Sequence, residues 1–299
     1  MTTTTTCTVT LPGAGPVDVA VSDYGAGQPF LLLHGGGGPD TVTGFGELFA
    51  KTHDVRVIVP THPGFGGTAR PDGLTSIPGL AALYVALIGQ LRLEDVTVVG
   101  NSIGGWIAAE MAPLESPRVS GAILVDAVGI EVPGHPIADF FSLTLDQVFT
   151  LSFHNPEPFR IDPATLPPAA QAIAAGNRAA LATYAGAAMS DPALAGRLAH
   201  LKLPTLVLWG DSDQIVDPDY GRAYAAAIPL ARFQLLKDTG HLPQLETPEQ
   251  LMNAIWNSAD TDFSGQRDLG AAGVPVRRTR LRPNETGSKA YGKGSTQHE

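Results

Sequence analysis

The sequence contains a single cysteine, Cys7, among its 299 residues. No intrachain disulfide can form, and a zinc site built from cysteines is excluded. Nothing near Cys7 in the sequence would lower the pKa of its thiol, so we expect an inert residue rather than a nucleophile.

Charged residues and long apolar runs are also scarce. Only 16% of the residues are charged, and the formal net charge is −10, which argues against partners such as nucleic acid and anionic membranes. No run of 18 apolar residues is present, so no membrane-spanning helix is predicted. Met1 and the five threonines after it lack the basic and apolar regions of a signal peptide, and we expect a cytoplasmic protein.

Short apolar runs alternate with stretches of helical periodicity. Continuous apolar runs of this length are typical of parallel strands buried on both faces, so the sequence predicts an α/β fold with a mostly parallel central sheet flanked by helices. The predicted strands are residues 30–33, 55–59, 96–99, 122–125, 205–209 and 233–236, and the predicted helices include residues 46–51, 78–91, 105–111 and 248–258.

The alternation is interrupted once and then stops. Residues 1–131 and 202–259 are predicted to form the two parts of an α/β core, and residues 132–201, rich in phenylalanine, proline and alanine, a helical insertion. Residues 260–299 are polar and glycine-rich, and we expect a disordered tail. No internal repeat is present.

Ser102 follows the predicted strand 96–99 and precedes a predicted helix, within the sequence Gly100-Asn101-Ser102-Ile103-Gly104-Gly105. A sharp strand-to-helix turn lifts a serine hydroxyl above the sheet edge, where it can act as a nucleophile. The glycines at 100 and 104 are needed because a Cβ would clash in so tight a turn. The alternative is a serine that only caps the helix.

A glycine run, residues 35–38, follows the strand 30–33 and His34. Its backbone N–H groups can bind a developing oxyanion or a phosphate. The phosphate interpretation is weaker because Pro39 interrupts the run and no lysine follows in register. A flexible turn without chemistry is the third possibility.

Carboxylates and a histidine end the remaining strands. Asp211 and Asp213 follow the strand 205–209, Asp126 follows 122–125, and His241 follows 233–236. The carboxyl ends of parallel strands meet at one sheet edge, so any of the three aspartates can serve to orient His241. Taken singly, each of these residues is more typical of a turn or a surface.

The order serine, aspartate, histidine at successive strand ends resembles the α/β-hydrolase superfamily, over about residues 15–258. The resemblance implies the α/β-hydrolase fold and identifies residues 132–201 as its helical cap. The matching motifs are His34-Gly35-Gly36, Gly100-x-Ser102-x-Gly104, Trp209-Gly210-x-x-Asp213 and Gly240-His241-x-x-x-x-Glu246-x-Pro248.

The resemblance also implies roles for individual residues. Ser102 is the nucleophile and His241 the base, and the spacing from Trp209 selects Asp213 as the acid. Ile103 and Gly36 supply the oxyanion hole, with Gly37 as the fallback donor. No metal or organic cofactor is needed. Epoxide hydrolases and haloalkane dehalogenases of this superfamily are disfavoured, because their nucleophile is an aspartate.

The substrate expected is a small hydrophobic ester or a related carbonyl compound. Phe140 and Phe141, in a cluster of five phenylalanines of the insertion, are candidate substrate contacts, together with Gly37, and a carboxylesterase is the first choice. The oligomeric state stays open.

Two alternatives remain on the same fold. Asn101 before the serine is similar to carbon–carbon bond hydrolases of ring-cleavage products, whose substrate carboxylate Arg160 or Arg178 would bind. Against this, those enzymes carry a tryptophan soon after the histidine, where this chain has Leu242. The other alternative is a non-catalytic small-molecule receptor, and the complete Ser/Asp/His set argues against it. Aminopeptidase activity is disfavoured, since the insertion has no acidic cluster.

Overall fold

The fold is organised around one sheet of eight strands, seen in a computed structural model that describes residues 2–261. The strands are β1 (Thr2–Leu11), β2 (Gly15–Gly25), β3 (Gln28–Leu33), β4 (Val55–Pro60), β5 (Val96–Asn101), β6 (Val119–Val125), β7 (Thr205–Gly210) and β8 (Ala231–Leu236). Their order across the sheet is β1-β2-β4-β3-β5-β6-β7-β8. The β1–β2 and β2–β4 pairs are antiparallel, and all other pairs are parallel.

Helices cover both faces of the sheet. They are α1 (Asp40–Thr52), α2 (Ile77–Gln90), α3 (Ile103–Met111), α4 (Leu145–Ser152), α5 (Pro168–Ala185), α6 (Leu194–Leu198), α7 (Pro218–Ala226), α8 (Pro243–Glu246) and α9 (Pro248–Thr261). Helices α2, α3 and α7 pack in the core on one face, and α1 and α9 pack in the core on the other. The prediction of a mostly parallel α/β sheet flanked by helices is confirmed.

Strand β3 shows why the predicted strands read as continuous apolar runs. Leu31 and Leu33 belong to one core, while Phe30 and Leu32 belong to the other. All four side chains are at most 4% exposed. A strand covered on both faces has no polar face, so alternation in the sequence disappears.

The antiparallel strands β1 and β2 were not predicted from the sequence. Strand β1 is mostly threonine, and its outer residues are exposed, so it lacks the apolar run that marks the central strands. Val17, Val19 and Val21 of β2 alternate with less buried residues and face the core. The β-branched threonines favour extended backbone, which explains the strand at this edge of the sheet.

The predicted helical insertion lies between β6 and β7. It contains α4, α5 and α6, and within the described chain no strand of the main sheet falls between residues 126 and 204. Its limits at residues 132 and 201 stay a prediction, as does its role as a cap. Of residues 260–299, the predicted disordered tail, residues 260 and 261 are the end of α9. Residues 262–299 lie outside the described residues.

No helix between residues 2 and 261 combines the length and the apolar character that crossing a membrane requires. The cytoplasmic location stays a prediction.

Candidate active site

Ser102 lies in a turn that the backbone tolerates only because its neighbours are glycines. Its own φ and ψ are 57° and −119°, a conformation that costs free energy for a residue with a side chain. A Cβ on Gly100 would lie 2.0 Å from the Gly104 carbonyl oxygen, and a Cβ on Gly104 would lie 2.3 Å from the Leu33 carbonyl oxygen. The turn therefore folds back directly from β5 into α3.

The alternative of a purely capping serine receives no support from this geometry. The Ser102 side chain makes no cap hydrogen bond to α3. Its backbone N–H instead donates to the Val125 carbonyl at 3.0 Å, which fastens the turn to the end of β6. The hydroxyl is left at the border of a cavity.

His241 and Asp213 form a hydrogen-bonded pair. The His241 Nδ1 atom lies 2.8 Å from Asp213 Oδ2, and both side chains are buried. The other carboxylate oxygen, Oδ1, accepts the backbone N–H groups of Ile215 at 2.8 Å and Val216 at 3.2 Å. The bond to Asp213 places the proton of the neutral ring on Nδ1 and leaves Nε2 as the free base.

The two other candidate acids have other hydrogen-bond partners than His241. Asp211 accepts a hydrogen bond from the Ser212 hydroxyl at 2.9 Å, and Asp126 accepts the Gly210 N–H at 2.7 Å. Among residues 2–261, only Asp213 hydrogen-bonds to the His241 ring.

Ser102 and His241 border the same cavity. Within the described chain the Ser102 hydroxyl has no hydrogen-bond partner, and the His241 ring bonds only to Asp213. In free hydrolases the bond between nucleophile and base is often long and shortens when substrate binds. The geometry therefore brings the predicted nucleophile, base and acid to one sheet edge, with the acid–base pair already joined.

Asn101 ties the serine segment to the histidine segment. Its Nδ2 donates to the His241 carbonyl at 2.9 Å and to the Val125 carbonyl at 3.3 Å, while its Oδ1 accepts from Gln244 Nε2 at 3.1 Å. The sequence pointed to Asn101 only through its similarity to carbon–carbon bond hydrolases. The structure shows a buried residue that fixes the spacing between two strand ends.

The predicted oxyanion donors lie beside the serine. Gly36, Gly37 and Ile103 all border the cavity. Ile103 is the first residue of α3, so its N–H has no acceptor within the helix. In the described chain, the N–H groups of Gly36 and Gly37 donate to no other group. These three N–H groups are available to a developing oxyanion.

The sequence did not reveal the support beneath the glycine run. His34 donates from Nδ1 to the Gly35 carbonyl at 2.8 Å and accepts the His62 N–H at Nε2, at 3.0 Å. His62 in turn bonds to the His34 carbonyl and to the Tyr84 hydroxyl. The centroids of the two buried rings lie 3.7 Å apart, and the ring planes are tilted by 31°. The signal that was overlooked is the position of His62, two residues after strand β4 at the same sheet edge.

Burial favours the neutral form of both His34 and His62. Burial lowers the pKa of His34 to about 4, although its bond to the Gly35 carbonyl opposes the shift. Burial also lowers the pKa of His62 well below its ordinary value, and the nearby His34 adds to that effect. Neutral rings can each donate and accept, which is the pattern that this network uses.

Helix α5 of the insertion rests on the glycine run. Asn177 donates from Nδ2 to the Gly37 carbonyl at 3.1 Å and accepts the Gly66 N–H at Oδ1, at 2.8 Å. A Cβ on Gly36 would lie 2.9 Å from Leu181 Cδ2. The insertion therefore holds the loop that carries Gly36 and Gly37, the predicted oxyanion donors.

The end of α4 rests on the loops that carry Asp213 and His241. The Ser152 carbonyl accepts the His241 N–H at 2.7 Å, and the Leu151 carbonyl accepts the Gln214 N–H at 3.1 Å. Glu246 accepts the N–H groups of Gly240, His154 and Asn155 at 2.7, 3.1 and 2.8 Å. The insertion is thus bonded to both sides of the proposed catalytic centre.

The cavity above these groups has a volume of about 810 Å³. Most of its wall comes from apolar side chains of the insertion and the histidine loop, including Phe140, Phe149, Phe153, Phe159, Leu181 and Leu245. Phe141 is not part of the wall, and its ring packs edge to face on Phe140. The only cationic side chains in the wall, within the described chain, are Arg160 and Arg178.

The strand-end site and the sheet topology define the class of α/β hydrolases. Residues 30–254, about three quarters of the sequence, match the alpha/beta hydrolase family, and the chain belongs to that family. The resemblance inferred from the motifs is confirmed.

Relatives of this chain include two kinds of hydrolase. Lipase 1 of Psychrobacter immobilis is 29% identical over 240 residues, which cover 75% of this chain and 74% of that protein. The 2-hydroxymuconate semialdehyde hydrolase of Pseudomonas putida is 30% identical over 254 residues, which cover 79% and 88%. A thermophilic esterase structure from Thermogutta terrifontis aligns with a TM-score of 0.69 at 26% identity, over 86% of this chain and 98% of that one.

Proposed function

We propose that this protein is a serine hydrolase that cleaves small hydrophobic carboxylic esters through an acyl-enzyme intermediate. The observation that carries the proposal is the Asp213–His241 hydrogen bond, with His241 and Ser102 both bordering one apolar cavity. A non-catalytic receptor would have no need of this arrangement.

The proposed mechanism begins when Nε2 of His241 takes the proton of the Ser102 hydroxyl. The serine oxygen attacks the ester carbonyl carbon, and the negative charge moves to the carbonyl oxygen. The N–H groups of Ile103 and Gly36 bind that oxygen, and Asp213 stabilises the imidazolium. His241 then gives its proton to the departing alcohol.

Deacylation repeats these steps with water. His241 removes a proton from the water molecule, whose oxygen attacks the acyl carbon. The second tetrahedral intermediate collapses, the bond to Ser102 breaks, and the serine recovers its proton from His241. Loss of either oxyanion donor is expected to raise the barrier by about 3–4 kcal/mol.

The insertion, residues 132–201, is proposed to act as a cap that selects the substrate. It supplies most of the apolar wall, including Phe140, Phe149, Phe153 and Phe159. Arg160 is unsuited to binding a substrate carboxylate, because it already pairs with Asp146 and Glu157. An uncharged acyl group fits this wall best.

One observation favours carbon–carbon bond hydrolysis as the second candidate. Arg178 borders the cavity and donates only to the carbonyl groups of Phe140 and Phe141, at 3.3 and 2.6 Å. Within the described chain no carboxylate pairs with it, so its charge is available to an anionic substrate. Leu242, where the carbon–carbon bond hydrolases carry a tryptophan, argues the other way.

The test compares two substrates on one enzyme. p-Nitrophenyl esters of increasing acyl length are assayed beside a dienoate ring-cleavage product, with Ser102→Ala as the control. Turnover of esters far above that of the dienoate supports the esterase. The reverse result, abolished by Arg178→Gln, replaces it with the second candidate.

A separate labelling experiment addresses the nucleophile itself. A serine-directed phosphonate is expected to add one adduct per chain, on Ser102, and none to Ser102→Ala. An adduct on another residue, or stoichiometric ligand binding without any turnover, would contradict a serine hydrolase.

A further inference from the structure

Asp126 is the buried carboxyl group that the proposed mechanism leaves without a task. It directly follows β6, has a φ of 47° and is fully buried. Its backbone N–H donates to the Leu208 carbonyl at 3.0 Å, and its Oδ1 accepts the Gly210 N–H at 2.7 Å. Strand β7, which leads to Asp213, therefore holds Asp126 at two points.

The second oxygen of Asp126 has no donor. Oδ2 is buried and finds no hydrogen-bond partner among the described residues. The carboxyl of Asp213, the proposed triad acid, lies within hydrogen-bonding reach of the Asp126 carboxyl. Two ionised carboxylates cannot hydrogen-bond to each other, so a contact between them requires a shared proton.

The Gly210 N–H is the one described group that acts on Asp126 to offset a negative charge. The groups that act on it are the Asp213 carboxylate and the Gly210 N–H, and no cationic side chain is among them. Burial and the Asp213 charge raise the pKa of Asp126 well above its ordinary value, while the Gly210 N–H opposes the shift only in part.

We propose that Asp126 is a positioning residue that keeps a proton on Oδ2 and donates it in a hydrogen bond to Asp213. Asp213 then has a complete set of partners: the N–H groups of Ile215 and Val216, the His241 ring, and the Asp126 hydroxyl. The inference rests on the proposed role of Asp213 as the triad acid.

A neutral Asp126 orients the Asp213 carboxylate without placing a second negative charge beside it. Two negative charges beside His241 would overstabilise the imidazolium and make it a weaker donor of a proton to the leaving group. The single charge of the Asp213 carboxylate, held by four donors, orients the His241 ring. No second charge then acts on the basicity of that ring. The pair acts as a single acid with one net charge.

Infrared difference spectroscopy tests this without reference to activity. The wild-type spectrum at pH 7 minus that of Asp126→Asn is expected to show the carbonyl stretch of one neutral carboxylic acid, which moves when the protein contains ¹³C-aspartate. Glu249→Gln, an exposed change on α9, serves as the control and is expected to show the loss of a carboxylate band instead. A carboxylate band lost in Asp126→Asn overturns the proposal.

Kinetics give an independent readout. Asp126→Asn keeps both hydrogen bonds, because the amide oxygen accepts from Gly210 and the amide N–H donates to Asp213. We therefore expect kcat/KM within about threefold of wild type and an unchanged acid limb in the pH profile of kcat/KM. Asp126→Gly tolerates the positive φ but removes the donor, and kcat is expected to fall about 10- to 100-fold. An acid limb that moves to lower pH in Asp126→Asn shows that a charge was removed and overturns the proposal.

The two proposals fail in different ways. If wild-type protein cleaves no ester or dienoate, the hydrolase proposal fails, while the infrared result still decides the protonation of Asp126.

Discussion

Glu246 accepts the backbone N–H of Gly240, the residue before His241, at 2.7 Å. The same carboxylate accepts two N–H groups from the segment after α4, those of His154 and Asn155. One side chain thus joins the histidine loop to the insertion. The family motif contains Glu246, but the sequence does not say which segments it joins.

Glu246→Ala is expected to lower both stability and activity. Three N–H groups lose an ionised acceptor, and a hydrogen bond to a charged group is worth roughly 1.5–3 kcal/mol when it is made. Because Glu246 is only half-buried and water can replace part of the loss, we expect about 1–3 kcal/mol less unfolding free energy in urea titrations. Glu249→Gln is the matched control, and an equal effect in both variants would contradict the role of Glu246.

Asn177→Ala is expected to lower kcat more than it raises KM. Its bond to the Gly37 carbonyl holds the loop of the proposed oxyanion donors, so the loss is expected to fall on the transition state. We expect a fall of about 10-fold in kcat for esters. Thr183→Ala, an exposed change on the same helix, is the control. Unchanged kcat with altered KM would assign Asn177 to substrate binding instead.

Stability is expected to fall below about pH 6.5 because of His34. Its pKa is about 4 in the folded protein and 6.5 in the unfolded chain, so the unfolded state binds the extra proton first. The contribution of His34 to the free energy of unfolding is therefore fully present above pH 6.5. It is lost as the pH falls towards 4, by up to ~3 kcal/mol. His62 acts in the same direction.

Denaturant titrations between pH 7.5 and pH 4 measure this slope. His34→Gln retains a neutral amide at the position and is expected to flatten it. The imidazole signal of His34 in NMR is expected not to titrate between about pH 5 and 8. A ring that titrates near 6.5, or an identical slope in the variant, would contradict the buried neutral network.

Gly100→Ala is expected to prevent folding. Its new Cβ would lie 2.0 Å from the Gly104 carbonyl oxygen, a backbone atom that cannot move without opening the turn around Ser102. Gly89→Ala is the control, since nothing lies within 4 Å of its Cβ and α2 gains about 0.5–1 kcal/mol from the replacement. Yields of folded protein and circular dichroism distinguish the two. A wild-type yield and circular dichroism spectrum for Gly100→Ala would show that the turn around Ser102 can accommodate a Cβ.

Much of the central sheet was predictable because it is buried on both sides. Burial on both faces forces apolar residues at every position, and the runs at 30–33, 96–99 and 205–209 all fall within observed strands. Strand β1 escaped prediction because a threonine-rich edge strand needs no such run. Helical periodicity recovers α2 and α9 but not the course of the insertion, whose α4 and α5 are hydrogen-bonded to loops far away in the sequence.

Some residues of the candidate site were predictable from the sequence and others were not. Ser102, Asp213 and His241 were predicted because a nucleophile turn, an acid and a base each follow a strand, and strand ends meet by topology. Asn101, His62, Asn177 and Glu246 act through backbone groups of segments far away in the sequence. Their contacts depend on which loops pack together, and no local pattern encodes that.

By itself, the sequence determined the α/β class, the parallel strands and the three side chains that end them, since burial and chain order dictate these locally. Only the tertiary structure decided where the insertion is fastened, how Asn101 and Glu246 join distant segments, and that one buried oxygen of Asp126 has no donor among the described residues. The reason is physical: hydrogen bonds and buried charges depend on distances between segments, and folding alone sets those distances.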